Sequence, residues 1–174
     1  TFAVVAGVQG AGLSPVIVII LGCANLVGDG FSMAAANFLG TRTQRQQRDK
    51  TRRAEEHHLR TIPKGEREEI RQIFSNKGLE GDVLEQVVDA ITSDPKVWID
   101  TMMTEEHGMP LESPSPVRAA LSTFVAFIVI GAIPLLAFIP GLFGASIIGN
   151  SFAWSSVLTA LAFLIVGALK SRFI

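Results

Sequence analysis

The chain has 174 residues, 48% of them hydrophobic, with a formal net charge of -1 and a mean hydropathy of +0.39. Without a basic excess to neutralise phosphates it is not built to bind nucleic acid, and a single cysteine, Cys23, rules out an internal disulfide or a paired-cysteine metal site. The charges are sharply partitioned: 12 of the 15 Lys/Arg and 15 of the 16 Asp/Glu lie between Arg42 and Glu112, leaving Asp29, Arg118, Lys170 and Arg172 outside.

A soluble globule spreads its charges over its surface, so two charge-poor stretches around a charged centre predict membrane, soluble insert, membrane. Thr1 to Leu13 is apolar and Gly-rich but too short to cross a bilayer; it reads as the second half of an earlier span that turns at Ser14-Pro15. Val16 to Leu39 supplies the roughly 20 residues that cross ~30 Å of hydrocarbon. It ends in Arg42, Arg45 and Arg48, a basic cluster expected on the cytoplasmic side. Asp29 is the sole acid of the apolar stretches, and a carboxylate at the bilayer centre costs about 2.5–3.5 kcal/mol on insertion scales. Asn25, Asp29, Met33 and Asn37 follow one another at four-residue steps and share one stripe, either a translocation path or a hydrogen-bonded seam between helices. Gly28, Gly30, Ser32 and Ala34 to Ala36 let a neighbouring helix approach closely.

The charged centre is helical. Thr41 to Arg60 continues the first full span as a polar helix ended by Pro63 and Gly65. Glu66 to Asn76 is amphipathic through Ile70, Ile73 and Phe74 and stops at Gly78. Asp82 is expected to cap the next helix, with Val83, Val87, Val88 and Ile91 as its apolar face. Asp94-Pro95 opens a last helix that runs to Glu106 or His107, before Gly108-Met109-Pro110. Val117 to Ile139 forms a second span, with Arg118 snorkelling at its start and Gly131 and Pro134 suggesting a kink. Phe152 to Leu169 forms a third, closed by Lys170 and Arg172. A cytoplasmic insert puts both basic ends inside. The chain stops where another span could begin, so at least five spans are expected in the whole protein. No strand pattern occurs. The fold class is therefore all-α: a polytopic helical membrane protein with membrane segments at 1–41 and 113–174 around a small helical cytoplasmic metal-binding domain at 42–112.

Three pairs in the insert have the spacing that puts two side chains on one helical face. Glu55 and His58 are three apart, Glu66 and Glu69 three apart, and Met102 and Glu106 four apart, with Met103 beside them. Carboxylate and imidazole suit divalent iron, manganese and zinc, and thioethers turn the set away from calcium and magnesium. Each pair alone also fits a solvated face or core packing, and His57-His58 fits a surface pair. The Glu55-x-x-His58 spacing additionally matches ferritin-like di-iron sites, which keeps a membrane-bound oxidase in view. A membrane adaptor whose insert binds a partner protein is the other rival.

The stretch GDGFSMAAANFLGTRTQ, followed by EREEIRQIFSNKGLEGDVLEQVVDAITSDPKVWIDTMMTEEHGMP, resembles the vacuolar iron transporter family over nearly the whole chain. The resemblance implies homodimers of five-span subunits, with a cytoplasmic metal-binding domain between the second and third spans. It implies export of ferrous iron, and often manganese, from the cytoplasm in exchange for protons. Fe2+ or Mn2+ would be both transported and domain-bound, with no permanent cofactor and no enzymatic role. The family's insert ligands fall on Glu55, Glu66, Glu69, Met102, Met103 and Glu106, while its glutamate three residues after Glu55 is His58 here. Met33 matches the methionine of the family's path at the dimer interface. The acid of the first span would lie upstream of Thr1. Ala36-Asn37-Phe38 stands where many members carry a glutamate, and Asp29 is the available substitute. The compact insert leans toward a prokaryotic cell membrane, or the vacuolar membrane in a eukaryote.

Overall fold

A computed structural model describes residues 1–143 and 150–172. Eight α-helices follow in chain order among them: α1 (Phe2–Gly10), α2 (Pro15–Thr61), α3 (Pro63–Asn76), α4 (Gly81–Thr92), α5 (Pro95–Thr101), α6 (Pro116–Leu136), α7 (Ile139–Leu142) and α8 (Ser151–Arg172). A single π-helical turn, Met102–Glu106, extends α5. No strand occurs among the described residues, and the chain is an all-α membrane protein. It divides into two compact units, one of Thr1–Leu39 with Pro116–Ile174 and one of Gly40–Ser115.

The first unit holds the membrane helices. α6 has 21 residues and α8 has 22, about 32 Å each at ~1.5 Å per residue, enough to cross the hydrocarbon core. α2, with 47 residues, begins as a span. Val5, Val8, Val18, Leu135, Ala137 and Phe138 form this unit's core. Phe2 of α1 stacks on Phe152 of α8 with ring centroids 5.8 Å apart. Phe31, Val117, Leu121, Phe163 and Leu164 are more than 60% exposed on the outside, as lipid-facing or helix-facing side chains must be. The second span is shorter than its apolar run. α6 stops at Leu136 and Ile139 starts a separate turn, because Pro134 lacks the N–H that would continue the ladder and Pro140 cannot join it. The buried Ser155 hydroxyl donates to the Pro134 carbonyl at 2.9 Å, satisfying a helix-end acceptor that no water reaches.

Two glycines set how closely α2 and α6 meet. A Cβ on Gly22 would strike the end of Leu135, and one on Gly131 would strike the end of Leu26. A leucine rotamer change can absorb an alanine at either place but not a branched side chain. Gly131→Ile is therefore expected to cost about 1–3 kcal/mol by overpacking, seen as a lower melting temperature in detergent.

In the second unit α2 runs without a breaker from Thr41 to Thr61. Ile62 alone separates it from α3, with φ -134 and ψ 48, since the residue before a proline is pushed out of the helical region. Pro63 thus ends α2 and also opens α3 at its first position, and Gly65 lies inside α3 rather than terminating anything. Ile70, Leu84, Val88, Trp98 and Met102 form the core, with Leu59, Ile73, Phe74, Leu79 and Ile91 packed around it. Arg71 holds Glu85 through two hydrogen bonds of 2.7 and 2.9 Å, and Arg67 donates to Asp89 and, at 2.7 Å, to Thr92, so α3 is braced against α4.

The start of α4 differs from the expectation. Glu80 is its N-cap residue and makes no side-chain capping bond, and Asp82 sits inside the first turn. There it favours the positive end of the helix dipole without accepting an end N–H. Of the expected face, Val88 is buried and Val87 half-buried, but Leu84 takes the place of Val83. Leu84 and Val88 are buried and Ile91 is half-buried, whereas Val83 is 60% exposed. The steps from 84 to 88 to 91 keep one face, which the packing of α3 selects. Asp94 caps α5 as expected, its carboxylate accepting from the Lys96 N–H at 2.8 Å.

Candidate metal centre

Three elements of the insert converge on one cluster. α2 brings Glu55 and His58, α3 brings Glu66, and the π-turn after α5 brings Glu106 with its C-cap residue His107, while Glu69 lies outside the two closest donor groups though its charge acts on Glu66 and Glu106. Donor atoms of Glu55, His58 and Glu66 all lie within 4.8 Å of one another, and so do those of Glu55, Glu106 and His107. Glu55 belongs to both groups. It is 5% exposed and Glu66 3% exposed, so two carboxylates are withdrawn from water with no Lys or Arg against them among the described residues. Their partners are imidazoles. His107 Nε2 lies 2.9 Å from Glu55 Oε1, and His58 Nδ1 lies 3.4 Å from Glu66 Oε1.

His107 is the residue that helical spacing does not reveal. Residues five apart in a regular α-helix point roughly 140° away from one another. The π-turn closes instead on a bond from the His107 N–H to the Met102 carbonyl, 3.2 Å, five residues back. His107 thus stands at the end of a turn wider than an α-helix makes. Met102 and Met103 are each 1% exposed, and Met102 is part of the hydrophobic core against Trp98.

Unpaired burial controls the electrostatics. Glu66 is pushed from 4.5 to about 7, first by its desolvation and then by the charges of Glu69 and Glu55, with His58 pulling the other way. Glu106 is raised by desolvation as well, opposed by His107 and reinforced by Glu69 and Glu55. Acidic charge from Glu55, Glu66, Glu69 and Glu106 is thus crowded around two imidazoles.

Salt links hold the elements in register. Arg52 of α2 meets Asp100 of α5 at 2.7 Å, and Lys96 meets the other Asp100 oxygen at 3.0 Å. Further along, Arg48 donates to the Leu111 carbonyl at 3.1 Å and the Ser113 hydroxyl at 3.3 Å. Arg52→Ala is expected to cost the insert about 1 kcal/mol, the upper end for a partly exposed pair. Metal affinity should fall several-fold with it, as comparison of melting and calorimetric titrations will show.

The stripe in the membrane unit has a different geometry. Asn25 Nδ2 donates to Asp29 Oδ2 at 2.8 Å, and both Asp29 and Met33 stand at the outside of the unit. Met33 also lines a mostly apolar cavity of about 440 Å3 with Phe127, Ile130, Pro134 and Phe163. Asn37 turns toward α6, donating to Thr123 Oγ1 at 2.6 Å and the Ala119 carbonyl at 3.2 Å.

Known proteins resemble this chain in sequence over nearly its whole length. The vacuolar iron transporter of Centaurea cyanus is 33% identical across 99% of this chain and 69% of its own length. The vacuolar iron transporter 1 of Oryza sativa subsp. japonica is 32% identical across 99% and 67%, and that of Arabidopsis thaliana 32% across 99% and 68%. All three are plant proteins, so they lend nothing to a prokaryotic cell membrane as the location. All three are transporters by name, which sets the oxidase reading aside. The family profile described as VIT family matches residues 1–174. This chain belongs to the VIT family: it is a membrane transporter, not an enzyme.

Proposed function

We propose that the protein moves divalent transition metal out of the cytoplasm, with ferrous iron as the first cargo, manganese as a second and protons as the counter-ion. The observation that carries this reading is Glu55, a buried carboxylate shared by two three-residue donor groups that contain carboxylates and an imidazole each. The insert, on the cytoplasmic side, captures the ion there. The iron transporters of plants share the layout over nearly the whole chain, which supports iron as cargo and a vacuolar membrane as the location.

Asp29 and Met33 support a path between two copies of the chain. A carboxylate facing hydrocarbon is costly, and a second subunit covering it removes that cost while supplying a polar seam. Protons couple because they compete with metal for the same carboxylate oxygens. The experiment is uptake of Fe2+ and of Mn2+ into proteoliposomes, with and without a pH gradient, beside an Asp29→Ala control. Saturable uptake that rises with the gradient and collapses in the control is expected. Flat uptake of both ions by folded protein would refute transport.

A further inference from the structure

We propose that His107, together with His58, makes the insert discriminate ferrous from manganous ion; this rests on the reading that the cluster captures the cargo. The two imidazoles belong to different donor groups that share the buried Glu55. His107 Nε2 lies 2.9 Å from Glu55 Oε1 and 3.8 Å from Glu106 Oε2. His58 Nδ1 lies 3.4 Å from Glu66 Oε1, within the second group that contains Glu55. Both side chains aim a ring nitrogen at carboxylate oxygens, where an ion shared by those oxygens would meet it.

The chemistry of the donors gives the direction. Carboxylate oxygens suit Mn2+, whereas imidazole nitrogen suits Fe2+ and the later first-row ions. A site of four carboxylates alone attracts any divalent ion mainly by charge. Placing two neutral nitrogens among them adds bonding that Mn2+ uses least. His107 caps the π-turn after α5, its own N–H closing that turn on the Met102 carbonyl.

The intact protein in detergent reports on this directly. Trp98 packs against Met102, so in a Trp154→Phe background its fluorescence follows the insert during anaerobic titration with Fe2+, Co2+ or Mn2+ alone. His107→Gln is expected to weaken Fe2+ and Co2+ by at least ~10-fold while changing Mn2+ by less than ~3-fold, since removing even a group that only supports a ligand costs about that much. The visible absorption band of bound Co2+ should shift as a nitrogen donor is lost. His107→Glu should tighten Mn2+ without restoring Co2+, and the more exposed His58→Gln should repeat the first pattern should His107 variants melt early. An equal loss for all three ions, or an unshifted Co2+ band, would overturn the proposal and leave His107 as a prop for Glu55. Failure of the unaltered protein to bind any of the three would instead remove the capture reading beneath it.

Discussion

Glu55→Ala is expected to weaken Fe2+ binding by roughly 100-fold, the largest effect of any single substitution in the insert. Glu55 is the one residue common to both donor groups, so its loss dismantles each of them, whereas losing Glu66 or Glu106 leaves the other group complete. The same substitution should leave the metal-free protein no less stable at pH 8. Glu55 contributes to the repulsion that raises both Glu66 and Glu106, and removing a crowded buried charge offsets the small cavity left behind. Calorimetric titration and melting of the same sample separate the two outcomes. Glu105→Ala serves as the control, because that side chain pairs with Lys77 at the surface and should leave affinity unchanged. A fall in affinity accompanied by an equal fall in stability would mean that Glu55 holds the fold and not the ion.

Glu66 provides the second large effect, through pH. Its carboxyl is raised to about 7 in the folded protein from 4.5 when exposed. A group with a raised folded value contributes stability that is fully present below pH 4.5 and is lost as pH climbs through about 7. The metal-free insert should therefore lose roughly 3 kcal/mol between those limits, and Glu66→Gln should flatten the slope. Metal affinity runs in the opposite sense. Binding must displace the proton, so affinity should rise by up to about tenfold per pH unit below 7 and level off above it. Melting of the insert by Trp98 fluorescence, set beside Fe2+ titrations from pH 5.5 to 8, shows both trends in one series. On the proposed capture by the insert, proton release and metal binding are the same event.

Much of this architecture can be read from residue order because the membrane imposes a harsh rule on charge. The gap in charge before Arg42 and after Glu112 locates the helical spans without reference to packing. Capping chemistry is equally local, as Asp94-Pro95 shows. The pairs Glu55/His58 and Glu66/Glu69 are legible for the same reason, since spacing on a regular helix needs no neighbour to interpret it. Where neighbours decide, sequence is mute. On α4, Leu84 rather than Val83 joins Ile70 of α3 in the core. Asn37 lies on the Asp29 stripe by spacing, yet Thr123 and Ala119 of α6 draw its amide inward. His107 is hidden by the π-turn, an irregularity with no pattern of its own. The run Glu105-Glu106-His107 directly before Gly108 is its one trace, a knot of donors at a helix end.

X-ray absorption at the iron edge separates an insert whose cluster holds the transported ion from one that leaves it in water. The sample is the intact protein with one equivalent of Fe2+, kept anaerobic, beside the same protein with His58 and His107 both changed to Gln. A mixed first sphere of carboxylate oxygens and imidazole nitrogens is expected, with the outer-ring imidazole scattering lost in the double variant. A spectrum matching fully hydrated ferrous ion, or one identical in the two proteins, would contradict it.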